Sequence, residues 1–234
     1  MEYQIQKAKC LICGSEFTQR GISKHIQSCL NKRFKKVIDK DVTYYLLYIH
    51  PDFTKDYFLY LLVTQNTTLE DLDWFLRAIW LECCYHMSAF FYGKYSELPK
   101  EHTISDVEKI SKEIFYHYDF GSTTALHIKI IGKYEGPEGL EGNIAILSRN
   151  RQPIIPCDEC GEREAVQICT ACVWDGGGWL CEECVKKHPC EEEMLLPVCN
   201  SPRTGVCAYT GEEKEIRTDK ALNNFLKLLE KKQD

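Results

Sequence analysis

Long apolar runs are missing from this chain. The longest, Tyr57 to Val63, falls far short of the roughly 20 residues that a membrane-spanning helix needs. The opening stretch, Met1 to Cys10, has no apolar signal core. No membrane contact is therefore expected, and the expected compartment is the reducing cytoplasm. A positive balance is missing too. With 29 Lys and Arg against 35 Asp and Glu the net charge is −6, so the chain as a whole has no pull toward a phosphate backbone. Several enzyme signatures are also absent: no Gly-rich nucleotide loop, no Ser nucleophile elbow and no His-Glu-x-x-His. Pro156-Cys157-x-x-Cys160 matches half of a zinc-deaminase signature, but no His-x-Glu precedes it. An enzyme is not expected, and an uncharacterised zinc enzyme is the weakest of the readings.

Cysteine is what the chain has in quantity, with 14 residues. In a reducing compartment clustered cysteines point to metal ligands rather than disulfides. Cys157/Cys160, Cys169/Cys172 and Cys181/Cys184 are three Cys-x-x-Cys pairs in close succession, followed by His188, Cys190, Cys199 and Cys207. A fourth pair, Cys10/Cys13, precedes His25 and Cys29. Two thiolates with this spacing can face one ion, and tetrahedral zinc takes four such ligands. His25 and Cys29, four apart, share one face of a helix and can reach an ion held by Cys10 and Cys13. Three zinc ions are expected, one near the N-terminus and two in the later cluster. Redox-active Cys-x-x-Cys would need a thioredoxin-like βαβ setting, which is absent, and His188 argues against an iron–sulfur cluster.

Charge is unevenly spread. Residues 1–40 carry nine basic against three acidic side chains, residues 41–152 ten against 16, and residues 153–210 four against ten. Arg20, Lys24, Lys32, Arg33, Lys35 and Lys36 are the candidate phosphate contacts, so DNA or RNA is the expected partner of residues 1–36. One finger reads only about three base pairs, so specific recognition by it alone is not expected. The acidic segment 153–210 is the candidate protein-binding surface.

The expected architecture is α+β: a central mixed sheet with packed helices, flanked by two small zinc-stabilised modules. Its units are a finger over 1–36, an α+β domain over 37–152, a two-zinc module over 153–210 and a helical tail over 211–234. Aromatic and branched runs predict strands at Val42 to Ile49, Tyr57 to Val63, Ser88 to Tyr92, Ile114 to Phe120, Thr124 to Tyr134 and Ile144 to Leu147. Thr68 and Asp71 open a predicted helix with Leu69, Leu72, Phe75, Leu76 and Ile79 on its apolar stripe. Ser105-x-x-Glu108 reads as a second capping box, and Asp219 to Lys231 as an amphipathic helix buried through Leu222, Phe225, Leu226 and Leu229. Trp74, Trp80, Phe90, Phe91 and Tyr92 read as core. Cys83 and Cys84 read as buried thiols without partners. Asp119 is expected to satisfy a turn in which Gly121 takes positive φ. His117 and His127, on neighbouring strands, face each other or opposite sides. The polar turn Asn200 to Gly205, with one arginine, is a candidate anion site.

Three resemblances add to this. Cys10-x2-Cys13-Gly14, Phe17, His25 and Cys29 are similar to short Cys-Cys-His-Cys zinc fingers. The later cluster resembles B-box-type and related cross-braced zinc modules, which implies Cys157, Cys160, Cys181 and Cys184 on one ion. Cys169, Cys172, His188 and a further thiolate would then share the other. Cys190 is the preferred eighth ligand, Cys199 offers a more relaxed loop, and sequential pairing uses almost the same residues. Tyr118-Asp119-Phe120-Gly121-Ser122-Thr123-Thr124, after the capped helix from Thr68, resembles the plasmid pRiA4b ORF-3-like family over about residues 40–150. The resemblance implies an α+β domain related to passenger proteins of insertion elements. Leu147 to Asn150 with Pro153, and Leu196 to Gly211, look like members that carry a zinc module. Family members have Tyr-Asp-Phe-Gly-Asp and then Trp; Ser122 and Thr124 stand here, so no role of that acid or aromatic transfers.

Overall fold

A computed structural model describes residues 7–93, 96–212 and 218–232. The fold is α+β, and its centre is a seven-stranded sheet in the order β6-β5-β7-β8-β3-β4-β9. The strands are β3 (Val42–Pro51), β4 (Leu59–Thr64), β5 (Ser88–Tyr92), β6 (Ser96–Leu98), β7 (Glu113–Tyr118), β8 (Thr124–Gly136) and β9 (Ile144–Arg149). Every neighbouring pair runs antiparallel, so the sheet is not mixed. Short connections join β3 to β4, β5 to β6 and β7 to β8, whereas the pairs β3–β8, β4–β9 and β5–β7 bring together strands that are not successive in the chain.

One face of the sheet is covered by helices α2 (Leu69–Leu76) and α3 (Ile104–Ile110), with Tyr45, Leu47, Leu61, Leu72, Leu76, Trp80, Val107 and Tyr116 in a single core. A π turn, Arg77–Leu81, continues α2. Thr68 and Asp71 form the capping box of α2 as its sequence implies. The box of α3 is Thr103 with Asp106 rather than Ser105 with Glu108, since Thr103 is the residue in extended geometry before the helix. Trp74 lies on the outer side of α2 and is 59% exposed, so the helical period places it outside the core. Trp80 and Phe90 are buried, and Phe91 and Tyr92 are half-buried.

The other face is covered by two segments from opposite ends of the chain. The N-terminal hairpin β1 (Lys7–Lys9) and β2 (Glu16–Thr18) leads into α1 (Gln19–Phe34), and α5 (Thr218–Lys231) follows the cysteine-rich region. Ile22, Ile26, Leu30 and Phe34 of α1 share a core with Tyr44, Leu46, Tyr60 and Leu147 of the sheet and with Leu222, Phe225 and Leu229 of α5. The finger is thus built into the domain, and a boundary at residue 36 cuts through a core. Phe34 approaches β8 so closely that a Cβ on Gly136 would sit 2.7 Å from its ring. Strand β4 is buried along its whole length because both of its faces are covered, which explains its unbroken apolar sequence.

Residues 157–197 form a small unit around the three-stranded sheet β11-β10-β12, with β10 (Gln167–Cys169), β11 (Trp179–Leu180), β12 (Leu195–Pro197) and the single turn α4 (Glu182–Val185). The unit ends near Pro197 rather than at 210. Ser201, Pro202, Arg203 and Tyr209 are buried against the α+β domain, where Ser201 Oγ donates to the Trp80 carbonyl at 2.5 Å. Asn150 and Asn200 bond each other at the root of the unit.

Candidate metal centres

Among the described residues, four groups of Cys and His side chains bring their ligand atoms within 4.8 Å of one another. In the finger, the turn between β1 and β2 presents Cys10 and Cys13, and α1 presents His25 and Cys29. His25 Nε2 lies 3.2 Å from the sulfurs of both Cys13 and Cys29. Phe17 stacks on the His25 ring at 3.8 Å, which holds the imidazole in place. In the later unit, Cys157, Cys160, Cys181 and Cys184 converge, and so do Cys169, Cys172, His188 and Cys190. The first and third Cys-x-x-Cys pairs therefore meet, and the middle pair meets His188 and Cys190, a crossed arrangement rather than a sequential one. Cys199 belongs to none of the groups.

The donors fit a tetrahedral ion. Metal–sulfur bonds of about 2.3 Å and metal–nitrogen bonds of about 2.0 Å imply edges of roughly 3.5–3.8 Å. The separations here are 3.9 Å for Cys160 to Cys181, 3.6 Å for Cys172 to Cys190 and 3.5 Å for Cys172 to His188. Disulfide sulfurs would stand at about 2.05 Å, and all 14 cysteines are free. Crowding also sets the thiols against one another. Although burial opposes it, hydrogen bonds from Ser15 and His25 bring Cys13 down to about 6, whereas burial and the neighbouring sulfurs push Cys29 up to about 12. Backbone N–H groups of Glu162 and Arg163 bring Cys160 to about 6, while burial and then Cys181 push Cys184 to about 12. So many sulfurs cannot all ionise together unless a cation sits between them.

The fourth group was not legible as a site. Cys83, Cys84 and His86 gather around Cys207, with His86 Nε2 3.4 Å from the Cys207 sulfur and the Cys84 and Cys207 sulfurs 3.5 Å apart. Cys83 is half-buried and Cys84 exposed, so neither is the isolated buried thiol expected from sequence. The available signal was Cys83-Cys84-x-His86, a dense donor run whose last member lies more than a hundred residues away.

Arg20, Lys24, Lys32, Lys35 and Lys36 are exposed on or beside α1. Lys24, Lys32 and Lys35 line an open groove of about 380 Å³ with Gln27, Ser28 and Asn31, on the helix side opposite the buried Ile22, Ile26 and Leu30. Among the described residues no carboxylate pairs with these three lysines. Arg33 instead pairs with Glu230 of α5.

Asp119 itself takes the left-handed backbone, φ 63°, and Gly121 does not. Its carboxylate accepts from the Gly121 and Ser122 amides. His117 and His127 lie on one face of the sheet, but each packs on a phenylalanine instead of on the other: His117 is tilted against Phe91 and His127 is stacked on Phe115. Arg203 is no anion site. Its guanidinium is fully buried and committed to Asp119, the Ser122 carbonyl and Thr124 Oγ1.

No protein-family profile matches the chain, and no curated protein does. Among solved structures the chain is similar to a protein of unknown function, MM3350, from Methanosarcina mazei Go1. The likeness has 22% identity over 43% of this chain and 66% of that one, with a TM-score of 0.36, too low to carry an argument about fold or function.

Proposed function

We propose that the protein is a zinc-binding, non-enzymatic binding protein that lays the outer face of α1 on a nucleic-acid backbone. The observation that supports this most directly is the finger itself: four soft donors gather under a helix whose outer side carries Lys24, Lys32 and Lys35. Thiolate with imidazole favours zinc over hard-ligand metals. Each group supplies four protein donors, as closed structural sites do, which leaves no position for a reacting water. The basic face makes phosphate contacts and supplies no base readout, so binding would be strongly salt-dependent and weakly sequence-specific. A link to mobile elements rests on the pRiA4b ORF-3-like resemblance alone.

Deleting residues 1–36 would strip the sheet of its cover, so the test uses surface charges. Lys24→Glu/Lys32→Glu/Lys35→Glu should keep the wild-type thermal midpoint while its affinity for mixed DNA and RNA falls steeply. For duplex DNA the slope of log affinity against log salt should shrink by about 2.7, roughly 0.9 per lost phosphate contact. Wild-type protein that binds neither DNA nor RNA at low salt would refute the reading.

A second reading has its own support. Trp174 stands 78% exposed in the acidic unit, on the short helix Val173–Asp175. An exposed indole in the segment 153–210, which carries ten acidic against four basic side chains, suits a basic protein partner, and Trp174→Ala would then weaken capture of such a partner while leaving nucleic-acid affinity unchanged.

A further inference from the structure

We propose that Cys83, Cys84, His86 and Cys207 form a fourth zinc site, a clamp that locks the exit of the acidic unit onto the β5–β7 end of the sheet. The chain supplies three thiols and one imidazole with all ligand atoms within 4.8 Å, the same donor count as in the finger. The 3.5 Å sulfur–sulfur and 3.4 Å nitrogen–sulfur separations suit edges of a zinc tetrahedron and are far too long for a disulfide.

The surroundings are those of a metal site. His86 turns Nε2 to the sulfurs, which leaves Nδ1 toward Asp119 Oδ1 at 3.7 Å. A carboxylate behind the second ring nitrogen is the usual support of a metal-bound imidazole, fixing its tautomer and direction. Arg203 Nε donates to the Cys83 sulfur at 3.4 Å, which places a buried positive charge against one thiolate. Three thiolates and one zinc ion leave the site with a formal charge of −1, and the guanidinium lies between that site and the Asp119 carboxylate, touching both. Two of the four residues other than glycine with positive φ among the described residues belong to this site, Tyr85 at 56° and Cys207 at 55°. Left-handed backbone at such residues persists where surrounding contacts impose it. Here it turns Cys84, His86 and Cys207 toward one point.

The consequence is mechanical. The segment after Pro197 already enters the domain through Ser201, Arg203 and Tyr209, and Cys207 closes that path. A metal at this point holds the acidic unit in one orientation against the sheet rather than on a loose tether.

The test is a zinc count on the purified full-length protein by metal analysis and native mass spectrometry. Wild type and Cys199→Ser should hold four ions; Cys207→Ser and Cys84→Ser/Cys207→Ser should hold three. A second readout does not depend on how the variants fold. Cys84 and Cys207 are exposed, so in the zinc-loaded protein they should resist alkylation and react only after chelation. Amide exchange across Cys199 to Tyr209 should quicken at least tenfold in Cys207→Ser while β3 and β4 stay protected. The site is refuted by a Cys84–Cys207 disulfide in the zinc-loaded protein, by rapid alkylation of both thiols, or by four ions retained in the double variant. Equal exchange in wild type and Cys207→Ser would overturn the clamp. The nucleic-acid reading fails separately, as loss of binding with the four-ion count intact.

Discussion

The Arg203 guanidinium meets the Asp119 carboxylate at 2.6 Å, with the arginine fully buried and its plane over the Tyr118 ring. The pair joins the end of β7 to the segment leaving the acidic unit, across 84 residues of sequence. Removing one member leaves a buried, uncompensated charge, which typically costs about 3–5 kcal/mol. Asp119→Asn should lower unfolding free energy by that order, measured in urea. Replacing both residues with apolar ones of similar volume should recover much of the loss.

Asp73 is a second buried acid, and its pH behaviour can be stated. It accepts from Lys100 and Ser88 at 2.8 Å and from Arg77 at 3.1 Å, and Tyr116 also donates to it. Burial pushes its pKa up, but Lys100, Tyr116, Ser88 and Arg77 outweigh that and hold it below the ordinary value. In the acid range the unfolded chain therefore binds the extra proton. The stability due to ionised Asp73 is complete above about pH 5 and drains away as pH falls through the unfolded value and then the depressed folded one. The gap in urea midpoint between wild type and Asp73→Asn should be widest near pH 6 and narrow below pH 4. A constant gap would exclude the linkage.

The two chain ends meet over the sheet. Phe225 lies 5.0 Å from Tyr44 and 6.2 Å from Phe34, ring centre to ring centre. Phe225→Ala should cost about 3–5 kcal/mol and loosen α1 as well as α5. Amide exchange of Ile26 and Leu30 would show this, and unchanged protection there would mean that the two helices are not coupled.

Chelation should separate the chain by size of core. Residues 157–197 hold strands of two or three residues and too little apolar surface to fold unaided. With metal removed, their amides should lose protection while β3 and β4 keep theirs. Retained order in the small unit would show that it does not rely on metal.

Much of this arrangement could be read from the residues. Local geometry made the donor pairs legible, because a Cys-x-x-Cys turn and an i, i+4 pair on a helix each set two ligands without help from the rest of the chain. Aromatic and branched runs marked β5 and β8, and the helical pattern marked α5, to within a residue or two. Misreadings arose where a neighbour decided. Trp74 looks like core until the helix is turned to face the sheet, and β4 looks two-sided only because α1 and α5 cover its far face.

By itself, then, the sequence determined the α+β class, six of the seven strands of the central sheet with the helices packed on them, and twelve clustered donors, but not the three-residue edge strand β6. Tertiary structure alone decided that the finger shares its core with α5, that the cysteine pairs cross rather than follow in order, and that Cys207 meets Cys83, Cys84 and His86. The physical reason is range. Backbone propensity and ligand spacing act over a few residues, whereas these three outcomes depend on which apolar faces meet after the chain has folded.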